Sequence, residues 1–208
     1  MTTHRSLVRR AALMTVAAST ALVLAACGSN DSSSGHSGHN SGGSSPSASA
    51  SASAGAHNAA DVSFAQGMIP HHRQAVEMAD LAATRAASAE VEMLASEIKK
   101  AQEPEIKTLS GWLTSWGEQV PAEGGMDHSG HAGVGMMTEE DMTQLEKASG
   151  AAFDTAFLKL MIKHHEGAVA MAKTEKSEGT SPDAKKLADA IIATQSAEIT
   201  RMNALLAK

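Results

Sequence analysis

Two adjacent rows of apolar positions run through residues 157–172. Phe157, Met161, His164, Ala168 and Met171 recur at helical spacing, and so do Leu158, Ile162, His165, Val169 and Ala172. Together they make one wide stripe, while Lys159, Lys163, Glu166 and Lys173 fall outside it. This period predicts an amphipathic helix. Gly179 reads as its stop. Ser181 then reads as a cap and Pro182 as the first turn of another helix, which runs to the C-terminus. The inward stripe of that helix is Ile191, Gln195, Glu198, Met202 and Leu205.

The same pattern occurs upstream. Shifted by 93 positions, Phe64 meets Phe157, Met68 meets Met161, and His71 and His72 meet His164 and His165. "AVEMA" at 75–79 meets "AVAMA" at 168–172. Leu94, Ile98, Gln102, Glu105 and Ile106 meet Leu187, Ile191, Gln195, Glu198 and Ile199 without a slip in register. This reads as a tandem duplication. Each copy is a helical hairpin, with the first turn near residue 88 and the second near 181. The stripe of the second helix in copy one is Ile98, Gln102, Glu105, Leu109, Trp112 and Trp116. Pro70 removes a backbone donor inside the first helix, so a kink or a local helix start is predicted there.

Two hairpins in tandem predict an all-α chain: an antiparallel four-helix bundle over residues 58–208. The hairpins are 58–117 and, together with a short helix, 138–208. The connection 118–137 is rich in Gly and polar residues. "TEEDMTQLEKASG" at 138–150 reads as a short helix capped by Thr138 and stopped by Gly150. In an up-down-up-down bundle the first and third long helices lie on a diagonal and run the same way. Their histidine pairs then either face each other across the core or sit in separate hairpin sites.

The residues before the bundle have another composition. "MTTHRSLVRR" followed by an Ala-rich apolar run reads as a signal peptide over 1–26. "LAAC" ends it, as in a bacterial lipoprotein, with Cys27 as the lipidated residue. Residues 27–57 are mostly Ser, Gly and Ala, which predicts a disordered tether. Cys27 is the one cysteine in the chain, so no internal disulfide is available. The chain carries 17 basic and 23 acidic residues, and three of the basic ones lie in the signal. Nucleic acid is excluded as a partner, because no basic stripe is present to neutralise phosphates.

The chemistry lies in the doubled histidines. Both members of each pair fall on inward rows, and burying an ionisable group without a partner costs several kcal/mol. Partners are at hand. His71 is level with Glu105 and His164 with Glu198, while Gln102 and Gln195 lie within a turn. Met161 and Met202 are nearly level. The set Met68, His71, His72 and Met78 recurs as Met161, His164, His165 and Met171. At i, i+3 and i+4, one thioether and two imidazoles converge, with the second thioether about a turn and a half beyond. Thioether is soft and selects Cu(I); imidazole accepts Cu(I), Cu(II) or zinc. Copper is therefore the expected metal and zinc the alternative. Glu105, Glu198, Gln102 and Gln195 suit the role of orienting the rings, although the Glu side chains and Met202 are candidate ligands too. The connection adds "MDHSGHAGVGMM" at 126–137, where Met126, His128, His131, Met136 and Met137 form a further candidate metal tract.

With these residues quoted, the chain resembles the domain of unknown function 305 family. The matching stretches are "FAQGMIPHHRQAVEMA", "FDTAFLKLMIKHHEGAVAMA", "ATQSAEITRM" and, before the second of these, "GMMTEEDM". The resemblance covers roughly 60–208. It implies a ferritin-like bundle and an exported bacterial protein, and for some members copper binding at the periplasm or cell surface, linked to copper tolerance. It thereby implies a copper role for His71, His72, His164, His165 and their methionines. One departure is Leu109, which stands in copy one where copy two has Met202.

The expected function is sequestration or delivery of copper by a lipoprotein on the outer face of the cell membrane, touching the membrane through its anchor alone. A metal-accepting protein partner is possible and is not identified by the sequence. The alternative is a structural or protein-interaction bundle without metal. An enzyme is not expected. The Glu-x-x-His pairs of di-iron bundles are missing, since Met68, Ile69, Met161 and Ile162 stand three residues before the histidines. No thiol nucleophile, zinc-protease helix or phosphate loop is present.

Overall fold

Asn58, Ser88, Thr138 and Ser181 each accept a backbone N–H with a side-chain oxygen, and each starts a helix. The computed structural model describes residues 56–123 and 134–208. Within them the helices are α1 (Ala59–Arg85), α2 (Ala89–Trp116), α3 (Glu139–Lys147), α4 (Gly150–Glu178) and α5 (Pro182–Leu206). The described residues contain no strand. The signal, most of the tether and Cys27 lie outside them, as do Met126, His128 and His131. Among the described residues, no helix is long and apolar enough to cross a membrane.

The expected hairpins form: α1 packs on α2, and α4 packs on α5. The two hairpins meet through α1 and α4. Asn58 bonds the carbonyl of Glu178, Gly67 faces Met171, His71 faces His164, and Arg85 bonds the carbonyl of Ala148. Rising positions on α1 therefore meet falling positions on α4, so these helices are neighbours and run antiparallel. This corrects the diagonal, parallel arrangement expected from an up-down-up-down order. The order is up, down, down, up, and the connection with α3 spans the length of the bundle. Arg201–Glu97 and Lys208–Glu90 bridges tie α5 to α2 on the remaining side.

Two other expectations change. Of the two outcomes expected at Pro70, the local helix start is ruled out, because α1 runs through it from Ala59. Gly150 does not stop the short helix, which ends at Lys147 with Ala148 as its cap. Gly150 instead opens α4 with φ +63, a left-handed turn that glycine adopts without strain.

The core is two apolar clusters. One gathers Ala75, Met78, Leu94, Ile98, Phe153, Phe157, Met161 and Met202, with Met137 and Met142 from the connection and α3. The other gathers Phe64, Met68, Ile69, Leu109, Leu113, Ala168 and Ile191. On all four long helices the layer between them is polar.

A second buried polar group closes one end of the bundle. Asp61 is fully buried, and it accepts backbone N–H bonds from Asn58 (2.6 Å), Thr180 (3.1 Å) and Ser181 (2.9 Å). It thus joins the start of α1 to the start of α5, where a negative charge is favoured. Burial works to raise the Asp61 carboxyl, but these bonds and the Glu175 side chain win and hold it at about 2. Glu175 is 1% exposed, and no donor reaches its oxygens. Burial, then the contact with Asp61, push its carboxyl up to about 8, against a small opposing effect of Lys185. Of these two neighbouring carboxyls, Asp61 is the one held ionised and Glu175 the one pushed toward its protonated form. Gly179 belongs to this corner: a Cβ there would stand 2.1 Å from Glu175 Oε1.

The folded state therefore holds a proton on Glu175 that the unfolded chain releases near 4.5. This contribution is complete below pH 4.5 and is lost as pH rises towards 8. Glu175→Gln keeps a neutral polar side chain beside Asp61 and removes the titration. The stability of the variant relative to the wild type is expected to climb between pH 5 and 8 and then level off, measured by urea unfolding across that range.

Candidate metal centre

The polar layer is set by helix geometry. His71 and His72 lie mid-way along α1, and His164 and His165 mid-way along α4. Adjacent positions on a helix differ by about 100°, so both members of a pair can face inward only on a helix covered on two sides. α1 and α4 are such helices, each covered by its own hairpin partner and by the other. All four rings are 0% exposed.

The antiparallel pairing of α1 and α4 brings the two histidine pairs together. The His71 and His164 rings lie with centroids 3.7 Å apart, tilted by 40°. His72 and His165 flank them, at 6.5 Å from His71 and 6.3 Å from His164 respectively. His72 Nε2 lies 2.7 Å from Glu105 Oε2, and His165 Nε2 lies 2.7 Å from Glu198 Oε2. The sequence reading placed a Glu level with each pair but aligned it with His71 and His164; the bonded rings are the following residues, His72 and His165.

These carboxylates fix the chemistry of two rings. A carboxylate oxygen accepts, so Nε2 of His72 and of His165 carries the proton and donates. Nδ1 of each then keeps a lone pair directed away from the carboxylate. Glu105 and Glu198 are about one-fifth exposed and connect the layer to water.

Six ring nitrogens have no hydrogen-bond partner: both on His71, both on His164, and Nδ1 of His72 and His165. The Gln102 amide and Gln195 Oε1 in the same layer are also unpaired. An unmet buried polar atom costs about 1–3 kcal/mol. Burial, with the neighbouring rings of His72 and His165, lowers His71 to about 3; the Val134 carbonyl opposes weakly. Burial first, then His71, His165 and His72, push His164 well below the ordinary histidine range. Both stay neutral and keep their lone pairs at physiological pH.

The donor set fits a soft or borderline ion. As they stand, no three of the His, Asp and Glu groups among the described residues are disposed around a common point. The tilted His71 and His164 rings, in close contact, would have to rotate about their side-chain bonds to share one ion.

The methionines divide between the two apolar clusters. Met68 and Met78, expected one beside the rings and one about a turn and a half beyond, lie in opposite apolar clusters on either side of the polar layer. Met171 packs with the Met68 cluster, against Gly67. Met78 joins Met161 and Met202. Met137, expected in a loop metal tract, is 4% exposed in that same cluster, while Met136 is half-buried. Sequence reasoning missed Gln74, whose side chain bonds the Met137 backbone, and Val134, whose carbonyl faces His71. Neither contact has a local signal in the sequence.

Residues 61–206 match the family described as domain of unknown function (DUF305). The chain belongs to the DUF305 family. Among solved structures it is similar to a DUF305 protein of Streptomyces coelicolor inferred to be secreted, at 36% identity and TM-score 0.64, covering 71% of this chain and 92% of that one. It is similar to CopM in a Cu(II)-bound form at 40% identity and TM-score 0.61, covering 70% and 95% of the two chains. CopM is also solved with Cu(I), at 36% identity and TM-score 0.59, covering 70% and 94%. No curated protein matches this sequence.

In metal-free protein, His71→Leu combined with His164→Leu removes four unpaired nitrogens at similar volume. Stability is expected to rise by about 1–3 kcal/mol, measured by urea unfolding. A loss of stability would show that the two rings hold favourable contacts of their own.

Proposed function

We propose that this DUF305 protein is an exported copper-binding protein that sequesters the ion or hands it on, and that catalyses no reaction. One observation carries the reading: four fully buried imidazoles meet at the α1–α4 contact, and six of their nitrogens are unpaired. His71, His72, His164 and His165 are the proposed ligands, with Glu105 and Glu198 holding the outer two rings in the ligating tautomer. Met68 and Met171 on one side, and Met78, Met161 and Met202 on the other, are the proposed thioether donors. Gln102 and Gln195 fit the role of orienting partners.

The similarity to CopM, solved with Cu(I), Cu(II) and silver, supports the choice of metal. Soft thioethers beside imidazoles favour Cu(I), while imidazole alone accepts Cu(II) or zinc. Export rests on the signal-like N-terminus and on the Streptomyces coelicolor relative; anchoring through Cys27 rests on the "LAAC" stretch alone. Met126, His128 and His131 are proposed as further donors on the same sequence grounds as before.

A structural bundle without metal is the second reading. It is favoured by the close, tilted contact of His71 with His164, which leaves no common focus among the described residues. It does not account for the unpaired nitrogens.

Titration of the mature protein with Cu(I) and Cu(II) is expected to show tight sites. They should vanish when His71, His72, His164 and His165 are all replaced by Leu. Saturation at 100 times Kd should stabilise the wild type by about 2.7 kcal/mol and leave that variant unmoved. A wild type that takes up no copper at micromolar concentration, or a variant that keeps the sites, overturns the reading.

A further inference from the structure

An ion bound among fully buried rings has to cross a cover, and the cover has a thin place. Residues 134–137, returning from the connection, lie along α4 and α1. A Cβ on Gly167 would stand 1.8 Å from the Val134 carbonyl oxygen and 2.8 Å from Gly135 Cα. Gly135 itself has φ +89, and its own Cβ would stand 2.8 Å from Gly167 Cα. Two glycines are required for this approach. The Val134 carbonyl also faces His71, outside hydrogen-bonding geometry. The Val134 side chain is 65% exposed. Residues 134 and 135 thus meet α4 as backbone, not through a packed side chain.

This backbone is held by one side chain of α1. Gln74 Nε2 donates to the Met137 carbonyl at 3.0 Å, and the Met137 N–H donates to Gln74 Oε1 at 2.7 Å. Both bonds are buried, and Gln74 follows His71 by one turn. The adjacent Arg73 donates to the carbonyls of Pro121 and Ala122, each at 2.8 Å. Neighbouring residues of α1 thus clip both described ends of the connection beside the histidines.

We propose that residues 134–137 form a strap over the histidine cluster and that Gln74 is its latch, setting how fast an ion reaches the rings. The identity of the ion rests on the copper reading; the latch does not. Releasing the latch breaks two hydrogen bonds and leaves the four long helices in place. Parting α1 from α4 would expose two apolar clusters to water. The carboxylates of Glu105 and Glu198 reach water, but they lead to the protonated Nε2 edges of His72 and His165. The strap is the cheapest way to the lone pairs.

The test compares the wild type with Gln74→Leu, which fills the space without bonding, and Gln74→Glu, which keeps the bond from the Met137 N–H. Diethyl pyrocarbonate modification of His71 and His164, followed by peptide mapping in metal-free protein, reads access to the rings. Stopped-flow mixing with Cu(I) or Cu(II) reads uptake. Gln74→Leu is expected to speed both about tenfold, with Gln74→Glu between it and the wild type and with copper stoichiometry unchanged. Faster modification in the variants, beside a wild type that takes up no copper, would keep the latch and remove the copper reading. Normal copper uptake with both rates unchanged in the variants would remove the latch and keep the copper reading. Should Gln74→Leu not fold, Gln74→Glu alone decides: a rate equal to the wild type overturns the proposal.

Discussion

Four imidazoles buried at one helix contact divide the core of this bundle in two, and the rest of the architecture is arranged around them. Such a layer is expensive, since each unmet polar atom in an apolar interior is destabilising. Two features contain the cost. Glu105 and Glu198 each satisfy one ring from the neighbouring helix of the hairpin. Burial also keeps His71 and His164 neutral, so no unpaired charge lies in the core. The apolar clusters on either side then supply the burial that holds α1 against α4.

The antiparallel run of α1 past α4 gives the layer its symmetry. Equivalent positions of the two hairpins come together at the histidines and diverge on either side. His72–Glu105 and His165–Glu198 therefore match in length and in separation along the chain. The methionines cannot match in this way. Moving from the rings toward one end leads to Met68 and Met171, and toward the other to Met78, Met161, Met202 and Met137. Leu109, in the cluster with Met68, stands where the other hairpin has Met202. The imidazole set is nearly symmetric and the thioether set is not.

Much of this was legible in the sequence, and the limits of legibility are physical. The stripe through Phe157, Met161 and His164 identified the buried face of α4, and its repetition identified α1. Ser181–Pro182 and Thr138 marked helix starts because capping is local chemistry. What periodicity reports is which face is buried, not which neighbour buries it. The long connection permits α4 to run either way, so the direction of α4 against α1 was misjudged. The Glu partners were misassigned by one residue because a hairpin turn read from sequence fixes level only to within about one residue, and both histidines of a pair face inward. Asp61 could have been found: Asn58 followed three residues later by an acid is a capping-box pattern. Its tie to Thr180 and Ser181, and that of Gln74 to Met137, join residues far apart in the chain. No local pattern announces them.

The neutrality of the buried rings connects folding to the proposed binding. A histidine in water near its ordinary value shares its lone pair between proton and metal, and the two compete. Burial removes that competition by disfavouring the charged ring, so the lone pairs of His71 and His164 remain free well into acid. The same burial leaves those lone pairs unsatisfied, which weakens the metal-free fold. An ion that binds only the folded chain returns that free energy as stability. Binding strength and the instability caused by the unpaired nitrogens are then linked. A bundle with a more comfortable polar layer, in which every ring found a hydrogen-bond partner, would be a more stable protein and a poorer ligand.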